Sequence, residues 1–444
     1  MKINLEFDQI ELDAFSGVSD TIQSAGNNDI VLMACSSKEQ LDALIKNNLS
    51  KEFKGLIISP FQPKKEVDCL VLDKEKMRNL EKKLIDYYYP IVEGIKYIGV
   101  TGTNGKTSVC WIFSEISKKQ GKKVLYMGTP GVFLNGNRVD EKILTTTPSY
   151  LSLRRITYRF KGSFDAVALE VSSHALEQNR LRGTKLDAGA WTNFSQDHLD
   201  YHKSMKSYLE AKKKIFEITK DNKIIVPVQN KELQNLLTEE STILSSDVKD
   251  LEVEVSEIFS HGFTKLNLEV ALSLFQMIFG KIKTSLNLKN ISLPPGRFQI
   301  IKKRGTFFIL DYAHTSDALK NLLNQVQKIF PERKIITVFG CGGNRDKTKR
   351  PLMGKVAENN SDLVILTSDN PRDEDPMDII EDIKKGFMVP PEYEVNRRLA
   401  IKKAFKKANE NYVIVVAGKG HEDYQEIKGV RYKLSDLEII GEFE

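Results

Sequence analysis

The chain has 444 residues, 41% hydrophobic and 28% charged, with a formal net charge of +6. At roughly 150 residues per domain this length holds about three domains, with apolar material enough for sizeable cores. The balance excludes a disordered tail, a collagen-like or coiled-coil rod, and a nucleic-acid or membrane partner chosen by gross charge, although local basic groups remain free to grip phosphates. Cys35, Cys69, Cys110 and Cys341 are scattered, which gives neither a disulfide ladder nor a metal knuckle and fits free thiols in a reducing compartment. The N-terminal MKINLEFDQI lacks the apolar core of a signal peptide. No run approaches the ~18 apolar residues of a membrane helix, so a soluble, cytoplasmic protein is expected.

In chain order, short apolar runs at 30–34, 55–58 and 69–72 alternate with helix-like segments, and Tyr87-Tyr88-Tyr89-Pro90 closes this first region. A strand is predicted at 97–101, then a Gly-rich turn, a helix over 107–120, and Gly121 where a helix end needs positive φ. Strands follow at 124–127, 166–171 and 223–228, with helices over 204–218 and 265–279. Leu293-Pro294-Pro295-Gly296 reads as a linker. Beyond it, strands at 307–310, 335–339, 363–366 and 413–416 alternate with helices. The fold class is therefore α/β in three domains: a small N-terminal α/β domain (1–90), a central P-loop ATPase domain with a mostly parallel sheet (91–292), and a C-terminal Rossmann-like, doubly wound domain (293–444). Ligands of such sheets bind at the carboxyl ends of strands.

The run after the strand at 97–101 is Gly102-Thr103-Asn104-Gly105-Lys106-Thr107. Glycines let successive N–H groups point at phosphate oxygens, and the following helix adds partial positive charge. Lys106 reaches the β and γ phosphates and the Thr107 hydroxyl faces Mg²⁺. The strict pattern has a first Gly where Val100 stands here, yet a plain turn would need neither the Lys nor the hydroxyl. No N-K-x-D guanine segment is found, which favours ATP.

Glu170 ends the apolar run Val167–Leu169, the placing of a carboxylate that binds Mg²⁺ beside a phosphate loop. Next, Asp197-His198-Leu199-Asp200-Tyr201-His202 packs two His and two Asp into six residues of a chain with only six His. The spacing is not H-E-x-x-H and no Cys is near, so a Mg²⁺ or phosphate site fits better than zinc. In Ala211-Lys212-Lys213-Lys214, a solvated basic face and a lysine pointed into the site are both open readings.

These residues resemble the Mur ligase family, ATP-dependent amide-bond ligases of peptidoglycan synthesis, and within it the branch that adds the third residue of the peptide. The resemblance covers about residues 96–438. It runs through G-T-N-G-K-T (102–107), T-T-P (146–148), E-V-S-S-H (170–174), D-H-L-D-Y-H (197–202), A-K (211–212), G-R-F (296–298), D-Y-A-H-T (311–315), the 340–350 loop, D-N-P-R (369–372) and G-K-G-H-E (418–422). It implies that Gly102, Thr103, Asn104, Gly105, Lys106 and Thr107 bind ATP with Asn267, Arg297 and Asp311, and that Lys106, Glu170, His198 and Lys212 are catalytic. It further implies that Thr107, Glu170, His198 and a carbamylated Lys212 attend Mg²⁺. Thr146, Thr147, Ser172, Gln178 and Arg180 match residues that grip the UDP-MurNAc-dipeptide. Arg345, Asp369, Asn370, Pro371, Arg372, Gly418 and Glu422 match the amino-acid site.

Arg372 suits a substrate with an extra carboxylate, and the resemblance favours meso-diaminopimelate over L-lysine. The implied reaction passes through an acyl phosphate and uses ATP and Mg²⁺, with small-molecule substrates, no nucleic acid and no membrane insertion. A monomer is expected. The family's Asp-Ser-Arg uridine segment is not recognisable in the first 90 residues; Ser19-Asp20-Thr21 is a degenerate remnant. Further departures are Asn344, Asn396, and Phe263-Thr264 ahead of Asn267. A folylpolyglutamate synthetase-like ligase and a regulatory P-loop NTPase are the alternatives.

Overall fold

The apolar runs near the N-terminus pair in chain order as a parallel sheet: Gly17–Ser19, Asp29–Leu32, Leu56–Ser59 and Cys69–Val71. Helices Lys38–Asn48 and Lys74–Tyr88 accompany it. Ser37 and Asp73 cap them by accepting from first-turn N–H groups. Ile30, Ile58, Leu80 and Leu84 fill one core; Val31, Ile57, Leu41 and Ile45 fill another. Neighbouring residues of a strand thus go to opposite faces, as a sheet buried on both sides requires. The computed structural model describes residues 2–4, 9–227, 230–236, 242–244, 253–282 and 286–443. The expected strand at 223–228 is found as Ile224–Val226, and Val228 lies outside the described residues.

Among the described residues the second sheet has eight strands. Their order is Asn137–Arg138, Gly131–Leu134, Val124–Gly128, Ala166–Glu170, Lys96–Thr101, Ala188–Trp191, Ile224–Val226 and Thr242–Leu244. The first two form an antiparallel edge, and the rest are parallel. The helix Lys106–Lys119 is buried on almost every side, because the sheet lies on one flank and the long helix Gly262–Phe279 on another. Ala188–Trp191 has no counterpart in the sequence reading. Its Ala-Gly-Ala carries little β propensity, but a Cβ on Gly189 would come within 2.4 Å of Ile224 Cδ1. Crowding inside the sheet selects small residues there.

The third sheet runs Gln299–Lys303, Thr306–Asp311, Tyr412–Ala417, Lys334–Phe339, Leu363–Leu366 and Glu392–Tyr393. Only its first pair is antiparallel. Gly296, in the linker, has φ 66°, and a Cβ there would sit 2.1 Å from the His421 nitrogen. Only glycine lets the chain turn this closely past the G-K-G-H-E loop.

Polar contacts join the three units. Ser152 donates to Asp20 at 3.1 Å and Arg154 Nε to the Tyr89 carbonyl at 3.0 Å. Gln196 donates to Asp346 and Thr348 at 3.1 and 2.9 Å, and Arg297 to Thr107 Oγ1 at 3.4 Å. The carboxyl ends of the second and third sheets therefore face one another.

The C-terminal helix Asp436–Gly441 is anchored by a fully buried pair. Arg397 Nε and Nη2 donate to Asp436 Oδ1 and Oδ2 at 2.8 and 2.7 Å, and Nη2 also donates to the Ala417 carbonyl at 3.0 Å. Removing one partner strands the other charge in the core, which costs about 3–5 kcal/mol. Arg397→Met is expected to lower the urea midpoint of the C-terminal unit by a corresponding amount. Asp436→Asn, which keeps an acceptor, should lower it less.

Candidate active site

The strand Lys96–Thr101 delivers the chain into Gly102–Gly105, and the helix Lys106–Lys119 leaves it. Gly102 (φ 143°) has Thr192 Oγ1 2.0 Å from where a Cβ would stand, and Gly105 (φ 86°) has Asn267 Oδ1 at 2.7 Å. The loop is seated on Thr192 and Asn193: Asn193 Oδ1 accepts from the Asn104 N–H at 2.8 Å, and Asn193 Nδ2 donates to the Asn104 carbonyl at 3.1 Å. Lys106 curls back, donating to the Gly102 and Thr103 carbonyls at 2.8 and 2.9 Å. Burial pulls its pKa below the usual lysine range, against the attraction of Glu170 and Asp197.

Glu170, at the end of a fully buried strand, has no exposed surface. Thr107 Oγ1 donates to its Oε2 at 2.9 Å and Thr129 Oγ1 to the same oxygen at 3.0 Å. The Tyr126 hydroxyl and the Thr129 N–H donate to Oε1 at 2.5 and 2.9 Å. A buried carboxylate persists only with such partners. These donors hold both oxygens toward the loop.

Lys212 lies beneath the loop and is 1% exposed. Its Nζ donates to the Gly102 carbonyl at 2.8 Å and stands 4.7 Å from the Tyr208 ring centre. Burial, then the charge of Lys106, drives its pKa far below normal. The tertiary structure thereby separates Lys212 from Lys213 and Lys214, which are only partly buried.

Asp197 is 4% exposed. His198 Nε2 and His314 Nε2 stand 3.5 and 3.4 Å from its Oδ2, and Lys349 Nζ stands 3.6 Å from Oδ1. Burial alone would raise its pKa. The His314 hydrogen bond and the Lys349 charge overcome this and hold it far below the carboxylate range. His198 (φ 55°) is pushed by burial to about 3, and His174, 4.9 Å away ring to ring, to about 4. His202 donates to or accepts from Ser173 Oγ at 2.9 Å and packs on Tyr208.

A cavity of about 330 Å³ brings together Thr103–Thr107, Thr146, Glu170, Ser172, Arg180, His198, Arg297 and Arg345. Thr147 sits behind this wall and donates to the Glu170 carbonyl at 2.7 Å. Arg180 reaches Thr145 Oγ1 at 2.9 Å and Gln178 Oε1 at 2.6 Å. Asn267 opens instead onto a neighbouring pocket of about 550 Å³ across the phosphate loop. Asp311 is turned inward: it accepts from the Phe298 and Ala313 N–H groups at 2.8 and 2.7 Å, and so shapes the turn that carries Arg297.

The expected amino-acid residues form a second cluster. Asn370 Nδ2 donates to Glu422 Oε2 at 2.8 Å, and a Cβ on Gly418 would lie 2.6 Å from Asp369 Oδ2. Arg372 Nη1 donates to the Gly343 carbonyl at 2.7 Å. Arg345 belongs with the first cavity and stands 4.0 Å from Asp200. Residues without an assignment in the sequence reading are Asp197, Lys349, Thr192, Asn193, Tyr126, Thr129 and Lys419. Of these, Asp197, Lys419 and Lys349 lie within motifs already quoted, D-H-L-D-Y-H, G-K-G-H-E and the 340–350 loop. Lys419 is fully buried between Asn370 Oδ1 and Glu422 Oε2, 3.1 Å from each.

A family model for the Mur ligase middle domain matches residues 100–290, and one for the Mur ligase, glutamate ligase domain matches residues 296–420. The chain is 39% identical to UDP-N-acetylmuramoyl-L-alanyl-D-glutamate–2,6-diaminopimelate ligase of Aquifex aeolicus, over 84% of this chain and 82% of that protein. A solved structure of a ligase of the same name is 27% identical with a TM-score of 0.51, covering 96% of this chain and 94% of that one. The MurF ligase of Thermotoga maritima, solved in complex with ADP, shares the fold: TM-score 0.65, 14% identity, 92% and 95% coverage.

The two histidines shift below their usual 6.5, so the folded protein binds fewer protons than the unfolded chain between about pH 4 and pH 6.5. Stability therefore rises with pH through this window and is lost on acidification. Thermal melts at pH 5, 6 and 7 should show a falling Tm toward acid, and His174→Gln should flatten that slope.

Proposed function

The chain belongs to the Mur ligase family, and we propose that it is the ATP-dependent ligase joining meso-2,6-diaminopimelate to UDP-N-acetylmuramoyl-L-alanyl-D-glutamate. The observation that carries this reading is one cavity in which a phosphate loop with Lys106, Thr107 and Glu170 is faced by Arg297 and Arg345 from the other sheet. The adjoining cluster offers Arg372 for the distal carboxylate and Glu422, which also accepts from Lys419, for the distal ammonium of an amino acid that bears both.

The loop N–H groups cradle the ATP phosphates, and Lys106 exchanges two carbonyls for phosphate oxygens. The pocket beside Asn267 takes the adenine. Arg297 reaches the nucleotide from the C-terminal side. Thr146, Thr147, Ser172, Gln178 and Arg180 hold the dipeptide end. The γ-carboxylate of its D-Glu attacks the γ-phosphorus, giving an acyl phosphate and ADP. The α-amine at the L centre of diaminopimelate then attacks the acyl carbon; phosphate leaves and a proton is released. Positioning and charge neutralisation carry this chemistry, with no covalent nucleophile from the protein.

Thr107 and Glu170 are hard oxygen donors at the mouth of the loop, which fits Mg²⁺, an ion that takes one or two protein oxygens and completes its shell with water and phosphate. Among the described residues no three His, Cys, Asp or Glu gather as a cage. When bound, the ion neutralises charge on the transferring phosphoryl group. His198, in the cavity wall, and Lys212, beneath the loop, are the residues we assign to a second ion. A buried, deprotonated Lys212 amine can add CO₂ and lose a proton, which turns a neutral amine into an anionic carbamate.

The first 90 residues carry the uridine. A cavity of about 620 Å³ there is lined by Asp20, Met33, Arg78, Glu81 and Arg182 among others. Residues 91–292 hold ATP and 293–444 hold the amino acid. No helix among the described residues is long and apolar enough to cross a membrane, and we place the reaction in the cytoplasm, on a monomer.

Phosphate release should require both UDP-MurNAc-dipeptide and diaminopimelate. Release with neither, as for a regulatory NTPase, or equal turnover with L-lysine, would count against the reading. Arg372→Ala removes charge-assisted bonds worth about 1.5–3 kcal/mol, so the KM for diaminopimelate should rise roughly 10- to 150-fold. Lys212→Ala should lose activity and regain part of it with a short-chain carboxylic acid. No loss, or no rescue, argues against the carbamate.

A further inference from the structure

Arg372 has a left-handed backbone, φ 53°, although it is not glycine and its side chain must point into the amino-acid cluster. Something outside the D-N-P-R motif has to hold it there. The edge strand Tyr424–Ile427, first strand of a hairpin with Val430–Lys433, runs alongside the loop and does so. The Arg372 N–H donates to the Glu426 carbonyl at 3.0 Å, and the Lys428 N–H donates to the Arg372 carbonyl at 2.8 Å. The Gln425 side chain donates to the Asp369 carbonyl at 2.7 Å, and the Glu426 N–H donates to Asn370 Oδ1 at 3.0 Å.

The side chains continue the pattern. Glu426 Oε2 faces Arg372 Nε at 3.4 Å, with both groups about a quarter or less exposed. Arg372 Nη1 gives one hydrogen to the Gly343 carbonyl at 2.7 Å. A guanidinium has five N–H groups. With Nε facing Glu426 and one Nη1 hydrogen committed, three N–H groups remain, one on Nη1 and two on Nη2, and the Nη1–Nη2 edge is the one left to meet a carboxylate end-on.

We propose that Glu426 is the positioning residue for Arg372: it holds the guanidinium so that its Nη1–Nη2 edge is presented to the distal carboxylate of the amino-acid substrate. This rests on the reading of the amino-acid site given above. Glu426 touches Arg372 and not the substrate. It orients the cation and leaves the binding edge uncovered. A glutamine keeps a side-chain oxygen facing Nε in the same place, and so retains the contact that orients the guanidinium.

The test measures steady-state phosphate release with ATP and UDP-MurNAc-dipeptide saturating and diaminopimelate varied. Glu426→Ala is expected to raise the KM for diaminopimelate about tenfold, as Arg372 loses the anion that orients it, with a smaller change in kcat. Glu426→Gln should recover most of that loss. A KM within twofold of the parent in Glu426→Ala overturns the proposal. So does a parallel rise in the KM for ATP, the mark of general structural damage, or a Glu426→Gln variant as impaired as Glu426→Ala. If the unaltered protein does not use diaminopimelate, the reading of the site fails with it. If it does and Glu426→Ala is indifferent, only the role of Glu426 fails.

Discussion

One buried carboxylate, Asp197, ties the phosphate-loop half of the molecule to the C-terminal half. His198 meets it from its own loop, and His314 and Lys349 meet it from the third sheet. A charge this deep is tolerable only when partners surround it. Its partners come from two units, so satisfying it requires the two sheets to stand with their carboxyl ends face to face. The same approach brings Arg297 to Thr107 and Gln196 to Asp346 and Thr348. The cavity exists because of this arrangement.

Around the cavity, charge is set by what is allowed to stay dry. Glu170 is held by four donors from Thr107, Tyr126 and Thr129 beside the loop. Lys212, equally buried, has one carbonyl acceptor and a like charge nearby, and it tends toward its neutral form. The two buried side chains thus differ in how fully their partners satisfy them.

Much of the fold was legible because its signals are local. A buried parallel strand must be apolar throughout, so Val124–Gly128, Ala166–Glu170, Lys334–Phe339 and Tyr412–Ala417 announce themselves in sequence. The helix Lys106–Lys119 follows from its glycine loop. Ala188–Trp191 did not announce itself, since small residues chosen for crowding carry no strand signal. The hairpin 424–433 was equally silent, because its exposed strand Val430–Lys433 has no core to require apolar alternation.

The candidate site divides in the same way. Lys106, Thr107 and Glu170 could be named from the chain because phosphate binding demands a short run of residues with special backbone geometry. Asp197, Lys349, Tyr126 and Lys419 could not be assigned, because each has a partner dozens or hundreds of residues away. By itself the sequence determined the residue types, the loop that turns around a phosphate, and the family. Only the tertiary structure decided which of three consecutive lysines is buried, which carboxylates line the cavity and which, like Asp311, turn to the backbone, and which strand holds the Arg372 backbone. The physical reason is that burial, and with it the strength of every charge, is a property of neighbours in space, which the order of residues along the chain does not contain.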